Sequence, residues 1–257
     1  MFLTGRNHHQ NGFASISETA TGFPGYNSHI PRENATLATV LRNAGWSTFW
    51  VGKNHNTPVD AWTMGSSKKD WPLGLGYDRF YGFIGGGTNQ CYPDLAEDNH
   101  YIDQPYGPDD GYHLSKDLAD KALEFIRDSK QSEPDKPWYL RFCPGANHAP
   151  HHAPQEYVDK YKGAFDDGYE AYREWVLTRM IEKGVLPEGT ELTPINPMPR
   201  ARSARATGCA PGTRSQLTRN GSSPGWPRST PHSRSTPMCR SVGSSTTSRS
   251  RVSWRTR

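Results

Sequence analysis

The chain has 257 residues, with 30 basic and 26 acidic side chains and a formal net charge of +4. Residues 200–257 contain twelve arginines and no Asp, Glu or Lys, which leaves 18 basic and 26 acidic residues in 1–199. No stretch approaches the roughly 18 apolar residues of a membrane span, and no basic and apolar leader follows Met1. Composition therefore excludes a membrane-spanning chain and predicts a cytoplasmic protein whose acidic first part is globular.

The first regular elements are predicted after a loop-rich stretch, residues 7–35, that is rich in Gly, Asn, His and Ser. Asn34 can cap a helix whose apolar residues recur at helical spacing (Leu37, Val40, Leu41 and Ala44), and Gly45 is placed to end it. Ser47 to Val51 is short, apolar and rich in aromatic and β-branched residues, which predicts a buried strand.

Two basic side chains, Lys53 and His55, follow this strand. In an extended segment residues two apart point to the same side, and an ammonium beside an imidazole suits an anion such as sulfate or phosphate. The alternative is a solvated loop with two unrelated polar residues. The pair leaves the carboxyl end of its strand, where ligands bind in open α/β sheets, but on spacing alone the solvated loop is favoured, because such pairs arise often by chance.

Residues 56–112 are predicted to be mostly loop, with short aromatic segments such as residues 77–83. Gly85, Gly86 and Gly87 follow. Three successive glycines could cradle a phosphate, but no Lys-Ser or Lys-Thr of a P-loop comes after them, so the pattern favours a plain turn.

A second helix and strand repeat the order of the first pair. The helix is predicted over Ser115–Lys130, capped by Ser115, with a buried stripe of Leu118, Ala122, Phe125 and Ile126. A second buried strand is predicted over Trp138–Cys143. Repeated helix–strand units indicate an α/β protein with parallel strands in one sheet.

A histidine-bearing loop, residues 144–152, leaves the second strand. His148, His151 and His152 could suggest zinc, but Pro150 and Pro154 prevent the regular helix that places paired histidines on one face, so zinc is not favoured. A third helix is predicted over Tyr169–Lys183, with Tyr172, Val176 and Met180 on one face and Gly184 at its end.

Taken together, four ordered motifs resemble the sulfatase family of the alkaline-phosphatase-like fold, most closely the bacterial arylsulfatases of actinobacteria. Residues 3–6, LTGR, look like the end of its C/S-x-P-x-R…L-T-G-R signature. Residues 36–56, which contain GKNH at 52–55, are similar to its helix, strand and G-K-x-H motif. Residues 76–83, GYDRFYGF, are similar to its G-F-D-x-F-Y-G-F, and residues 136–150 to its K-P-F-F-L…H-x-P segment. The resemblance covers about residues 1–199.

The resemblance implies a fold and a mechanism. The fold would be a partial mixed or parallel sheet with flanking helices, and the reaction would be hydrolysis of a small sulfate ester. The nucleophile would be a formylglycine made from the signature Cys or Ser, and calcium would polarise the sulfate oxygens. The family's roles carry over to Lys53 as a sulfate ligand, His55 as the partner of the nucleophile, and His148 as sulfate ligand or general acid.

Departures from the family pattern predict that this chain is inactive. The signature nucleophile and arginine and the early Asp-Asp ligands are not in residues 1–257, and no Asp or Lys follows residue 191 where the later ligands are expected. None of Cys91, Cys143, Cys209 or Cys239 lies in C-x-P-x-R. Cys91 and Cys143 could pair, although a reduced protein is the simpler interpretation. No metal ligand is assigned.

Residues 200–257 are predicted to be a separate, disordered Arg/Ser/Pro-rich tail, because they contain no Phe, Tyr or Ile with which to build a core. Translation out of frame after Pro199 is the favoured explanation. Two alternatives stay open: a basic arm that binds nucleic acid, which is the less favoured function, and a phosphoester or phosphonate hydrolase of the same superfamily.

Overall fold

The computed structural model describes residues 2–195, which divide into two compact units, residues 2–152 and 153–195. The larger unit contains a five-stranded sheet and two helices, and the smaller contains two helices. The predicted boundary at residue 199 and the predicted tail lie outside the described residues. Within residues 2–195, no helix is long and apolar enough to cross a membrane.

The sheet has the order β4-β3-β2-β1-β5. Its strands are β1 (Ser47–Lys53), β2 (Arg79–Phe83), β3 (Ala96–Glu97), β4 (His100–Tyr101) and β5 (Trp138–Cys143). Strand β1 pairs in parallel with both β2 and β5, while the short strands β3 and β4 are antiparallel. The two predicted strands are therefore parallel neighbours in one mixed sheet, which confirms the predicted α/β fold class.

Strand β1 is the centre of the larger unit, and its residues from Ser47 to Gly52 are all buried. Successive side chains of a strand point to opposite faces, so Phe49 and Val51 enter one core cluster and Trp50 the other. The bulky residues of β1 thus join two apolar layers. This explains why the apolar run predicted the strand correctly.

Helix α2 (Leu114–Ser132) packs against one of these layers. Its stripe is buried at Leu118, Ala122 and Phe125 as predicted. The predicted cap, Ser115, was wrong. The helix begins one residue earlier, and Nδ1 of His113 accepts a hydrogen bond from the Ser115 amide. The lone pair of an imidazole nitrogen can satisfy an amide of the first helical turn, as the hydroxyl of a capping Ser or Thr does.

Helix α1 (Leu37–Asn43) departs further from the sequence pattern. Thr36, and not Asn34, caps it by accepting the Thr39 amide. Leu37 and Val40, two of the apolar residues at helical spacing, are 38% and 55% exposed, whereas Ala38 is fully buried in the layer around Trp50. A small side chain lets the helix approach the aromatic layer closely, and that contact overrides the apolar periodicity.

Two further elements differ from prediction. Strand β2 lies in a stretch that was predicted to be loop, because its glycines and aromatic residues give no clear alternation. Strand β5 is half-buried and not fully buried, since it is at the edge of the sheet among the described residues and Phe142 is 43% exposed.

Cys143 on this strand has a free thiol, so it is not paired with Cys91.

The smaller unit contains α3 (Gln155–Lys160) and α4 (Gly168–Glu182). Helix α4 matches the predicted third helix within one residue at each end. None of its residues is buried, and its predicted stripe lines an open groove of about 220 Å³ together with Leu186 and Leu192. Gly184 follows the helix with a left-handed φ of 65°, which suits a glycine after a helix end.

Candidate active site at the carboxyl edge of the sheet

Three parallel strands end at the same edge of the sheet. Lys53 is the last residue of β1 and pairs in register with Phe83 at the end of β2, and Cys143 ends β5 beside them. A Cβ on Gly52 would lie 2.0 Å from the carbonyl oxygen of Cys143, so the strands approach each other here as only glycine allows. The loops that leave this edge carry the sequence-predicted site residues.

His55 lies beyond the strand and not within it. Strand β1 ends at Lys53, and His55 has a left-handed φ of 54°, so the predicted extended relation between these two side chains is wrong. The turn is supported by buried polar groups: the Asn54 side chain donates to the Thr57 hydroxyl at 2.8 Å, and the His55 amide donates to the Ile84 carbonyl. Buried hydrogen bonds of this kind hold the backbone in a costly conformation.

Two imidazoles lie beside the glycine run that follows β2. A Cβ on Gly86 would lie 2.8 Å from the ring of His55, and a Cβ on Gly87 would lie 3.2 Å from Nδ1 of His148. His55 and His148, 93 positions apart in sequence, therefore border consecutive residues of one loop. The plain turn that the sequence favoured underestimates Gly86, because a side chain there would displace the His55 ring, and Gly87 lies close against the His148 ring.

His148 belongs to the loop that follows β5, and its side chain is exposed. Its Nδ1 is 2.7 Å from the carbonyl oxygen of Ala149. A carbonyl oxygen only accepts hydrogen bonds, so Nδ1 carries a hydrogen, and Nε2 is left to interact with a ligand. The loop itself packs closely at Gly145, where a Cβ would lie 3.0 Å from the Phe83 ring.

Glu18, which the sequence did not single out, is the partner of His55. Both carboxylate oxygens lie within hydrogen-bond distance of His55 Nε2, at 2.9 and 3.0 Å. Burial acts to raise the pKa of the Glu18 carboxyl, but the hydrogen bonds from His55, the backbone and Ser17, together with the charge of His55, outweigh it, and the pKa lies below its ordinary value. Glu18 is 37 positions from His55 in a loop without a motif, so no local signal marks it.

Lys53 is half-buried, and no carboxylate in residues 2–195 lies within ion-pair distance of its ammonium. Those same residues contain no group of three or more His, Cys, Asp or Glu side chains that could hold a metal ion. The edge therefore presents an ammonium and two imidazoles, with one carboxylate already hydrogen-bonded to an imidazole. Such a set of groups binds anions better than cations.

Comparison with known proteins identifies the family to which this sequence is similar. The sequence model of the Sulfatase family matches residues 1–231, a range that extends past the predicted boundary at residue 199. The chain is 28% identical over 204 residues to an arylsulfatase of Klebsiella aerogenes, which covers 75% of this chain and 41% of that protein. It is 25% identical over 218 residues to an uncharacterized sulfatase of Schizosaccharomyces pombe, which covers 77% of this chain and 37% of that protein.

A solved structure from work on glycosaminoglycan metabolism by Bacteroides thetaiotaomicron has a similar fold. It aligns with a TM-score of 0.50 at 17% identity, over 65% of this chain and 36% of that one. This likeness supports the fold alone. The chain spans about two fifths of the length of the two curated relatives described above.

Proposed function

The chain belongs to the sulfatase family, and on that premise we propose that Lys53, His55 and His148 form the anion-binding part of an arylsulfatase-type sulfuric ester hydrolase. The observation that carries the proposal is the position of two imidazoles beside consecutive glycines at the carboxyl edge of a parallel sheet. The proposed substrate is a small sulfate ester.

Each of the three side chains has a separate role in the proposal. The Lys53 ammonium, which has no carboxylate partner among the described residues, neutralises charge on the sulfate. His148 is held through Nδ1, so its protonated ring presents Nε2–H to the oxygen that leaves with the alcohol or phenol. His55 donates through Nε2 to Glu18, so the lone pair on Nδ1 of its neutral ring would accept a hydrogen from the hydroxyl of a formylglycine, were one present.

The calcium and formylglycine of the family do not fit the residues at this edge. Calcium takes six to eight oxygen ligands, whereas the described site offers two imidazoles, an ammonium and the Glu18 carboxylate, which is engaged with His55. Formylglycine needs a Cys or Ser in C/S-x-P-x-R, and residues 1–257 contain no such sequence. We therefore propose that residues 1–257 bind a sulfate anion but do not hydrolyse sulfate esters by themselves.

Anion binding is tested by calorimetric titration of residues 1–257 with sodium sulfate at low ionic strength. Lys53→Ala is expected to weaken sulfate binding about tenfold or more, because a charge-assisted contact contributes about 1.5–3 kcal/mol. Lys116→Ala removes an exposed lysine on α2 and is the matched control, for which no change is expected. Equal affinities for the two variants would contradict the role of Lys53.

A parallel titration with phosphate addresses the alternative hydrolase of the same superfamily. Binding of phosphate much tighter than that of sulfate would favour a phosphoester substrate. Hydrolysis is measured separately with an aryl sulfate, for which no turnover beyond background is expected. Turnover that Lys53→Ala abolishes would show that the residues considered essential were wrongly chosen.

A further inference from the structure

The hydrogen-bonded pair of Glu18 and His55 is held in place by neighbouring groups. Glu18 lies in a short 3-10 turn (Ser17–Thr19), and the hydroxyl of Ser17, a buried residue, donates to its Oε2 at 3.2 Å. Both of its oxygens contact the same imidazole nitrogen. Most exposed ion pairs lack such support and contribute little.

The backbone at Gly86 lies against both side chains of the pair. A Cβ on Gly86 would lie 2.8 Å from Nε2 of His55 and 3.2 Å from Oε1 of Glu18. The side chains of His55 and Glu18 are only 23% and 34% exposed. The carboxylate and the ring are therefore in contact with each other and with backbone, which limits rotation of the imidazole and strengthens the interaction over that of a fully solvated pair.

The hydrogen bond decides which nitrogen of His55 is available. A carboxylate accepts, so Nε2 carries a hydrogen and the neutral ring has its lone pair on Nδ1. Among the described residues, no group hydrogen-bonds to Nδ1. A ring held in this way presents an acceptor when neutral and a second N–H donor when protonated.

We propose that Glu18 is a positioning residue of this site, which orients the His55 imidazole through Nε2 and leaves Nδ1 to donate to the bound anion when the ring is protonated, or to accept from a hydroxyl when the ring is neutral. The inference deepens the proposed function and rests on it for the identity of the ligand. Glu18 itself touches neither the anion nor the reacting atoms. Its effect on the site passes entirely through the ring of His55.

The contact is tested first without any anion. In the ¹⁵N-labelled chain, the Nε2–H resonance of His55 is expected to be protected from exchange with water, to disappear in Glu18→Ala, and to persist in Glu18→Gln, whose amide oxygen still accepts. Glu33→Ala removes an exposed acid of a neighbouring loop and is expected to leave the resonance unchanged. In His55→Ala, the pKa of the Glu18 carboxyl should rise, because the hydrogen bond and the charge of His55 that lower it are lost.

The consequence for the site is tested by sulfate affinity. Glu18→Gln and Glu18→Ala remove the same negative charge, but only Glu18→Gln keeps a hydrogen-bond acceptor for Nε2. Sulfate binding is therefore expected to be on the order of threefold weaker in Glu18→Ala than in Glu18→Gln, as the loss of one neutral hydrogen bond implies. The paired comparison cancels the change in charge that either variant makes alone.

The two measurements separate this inference from the proposed function. Retention of the Nε2–H resonance in Glu18→Ala, or equal sulfate affinity of the two Glu18 variants, would overturn the positioning role. If the unaltered chain fails to bind sulfate, the proposed function fails, and the resonance and the Glu18 titration still decide whether the carboxylate holds the ring. Persistence of the resonance in Glu18→Gln excludes loss of charge as the cause, and an unchanged urea unfolding midpoint of Glu18→Ala excludes loss of folding.

Discussion

Replacement of Gly52 by alanine is expected to destabilise the larger unit by about 3–5 kcal/mol, because two separate costs coincide at this residue. Gly52 lies in β1 between β2 and β5, with a φ of +108°. An L-residue in a left-handed conformation costs about 1–2 kcal/mol. That cost alone would be tolerated by most domains.

The second cost comes from the neighbouring strand. An added Cβ would lie 2.0 Å from the carbonyl oxygen of Cys143, whereas ordinary contact begins at 3.4 Å. Because the clashing atom is backbone, β5 must move away by more than about 1 Å, which removes local hydrogen bonds worth roughly 1 kcal/mol each and packing against β1. The total is a large share of the 5–15 kcal/mol that stabilises a typical domain.

Urea unfolding followed by tryptophan fluorescence measures this difference, since Trp50 and Trp71 are fully buried. Gly45→Ala is the matched control: Gly45 has a φ of +90° and no atom within 4 Å of the added Cβ, so it incurs only the backbone cost. Gly52→Ala is expected to be at least about 2 kcal/mol less stable than Gly45→Ala. If the two variants lie within about 0.5 kcal/mol of each other, the clash with β5 does not operate as argued.

Three other predictions concern the site and its support. Gly86→Ala is expected to displace the His55 ring from Glu18 and abolish the protected Nε2–H resonance, because the added Cβ would lie 2.8 Å from that ring. Tyr81→Phe should destabilise the chain by about 1–2 kcal/mol, since its hydroxyl donates to a buried carboxylate at 2.7 Å. Burial, and then the charge of His113, lower the pKa of His152 from 6.5. The contribution of His152 to stability should therefore be complete above about pH 6.5 and decrease as the pH falls below it, and His152→Gln should remove this pH dependence.

Each of these predictions has a control within the chain. Gly22→Ala adds a Cβ with no atom within 4 Å and should leave the His55 resonance unchanged. Tyr92→Phe alters an exposed tyrosine and should change stability by less than about 0.5 kcal/mol. For His152, unfolding free energies are compared at about pH 7.5 and about pH 5.5. An equal loss of stability in His152→Gln would assign the acid sensitivity to other groups.

Local pattern was sufficient for the elements whose apolar residues are buried at a regular spacing. The stripe of α2 and the apolar run of β1 were predicted correctly, because their side chains meet the core at regular spacing. The histidine-bearing loops after β1 and β5 were placed at one sheet edge by the repeated order of helix and strand. That order implies parallel strands, and parallel strands end on the same side.

Other features depended on what each segment packs against. The apolar residues Leu37 and Val40 are exposed because small Ala38 faces the aromatic layer around Trp50, and no pattern within helix α1 indicates which side that layer occupies. The half-buried state of β5 reflects its position at the sheet edge. Pairing partners belong to the whole sheet and leave no mark in the strand's own sequence.

The sequence by itself determined the sulfatase resemblance, the α/β class and the basic side chains at the strand ends, because these follow from short motifs and local periodicity. Tertiary structure alone decided that Glu18 contacts His55 and that His55 and His148 lie beside the consecutive residues Gly86 and Gly87. These contacts join segments tens of residues apart through loops of irregular backbone. Their geometry depends on how β1, β2 and β5 align, which only the folded sheet establishes.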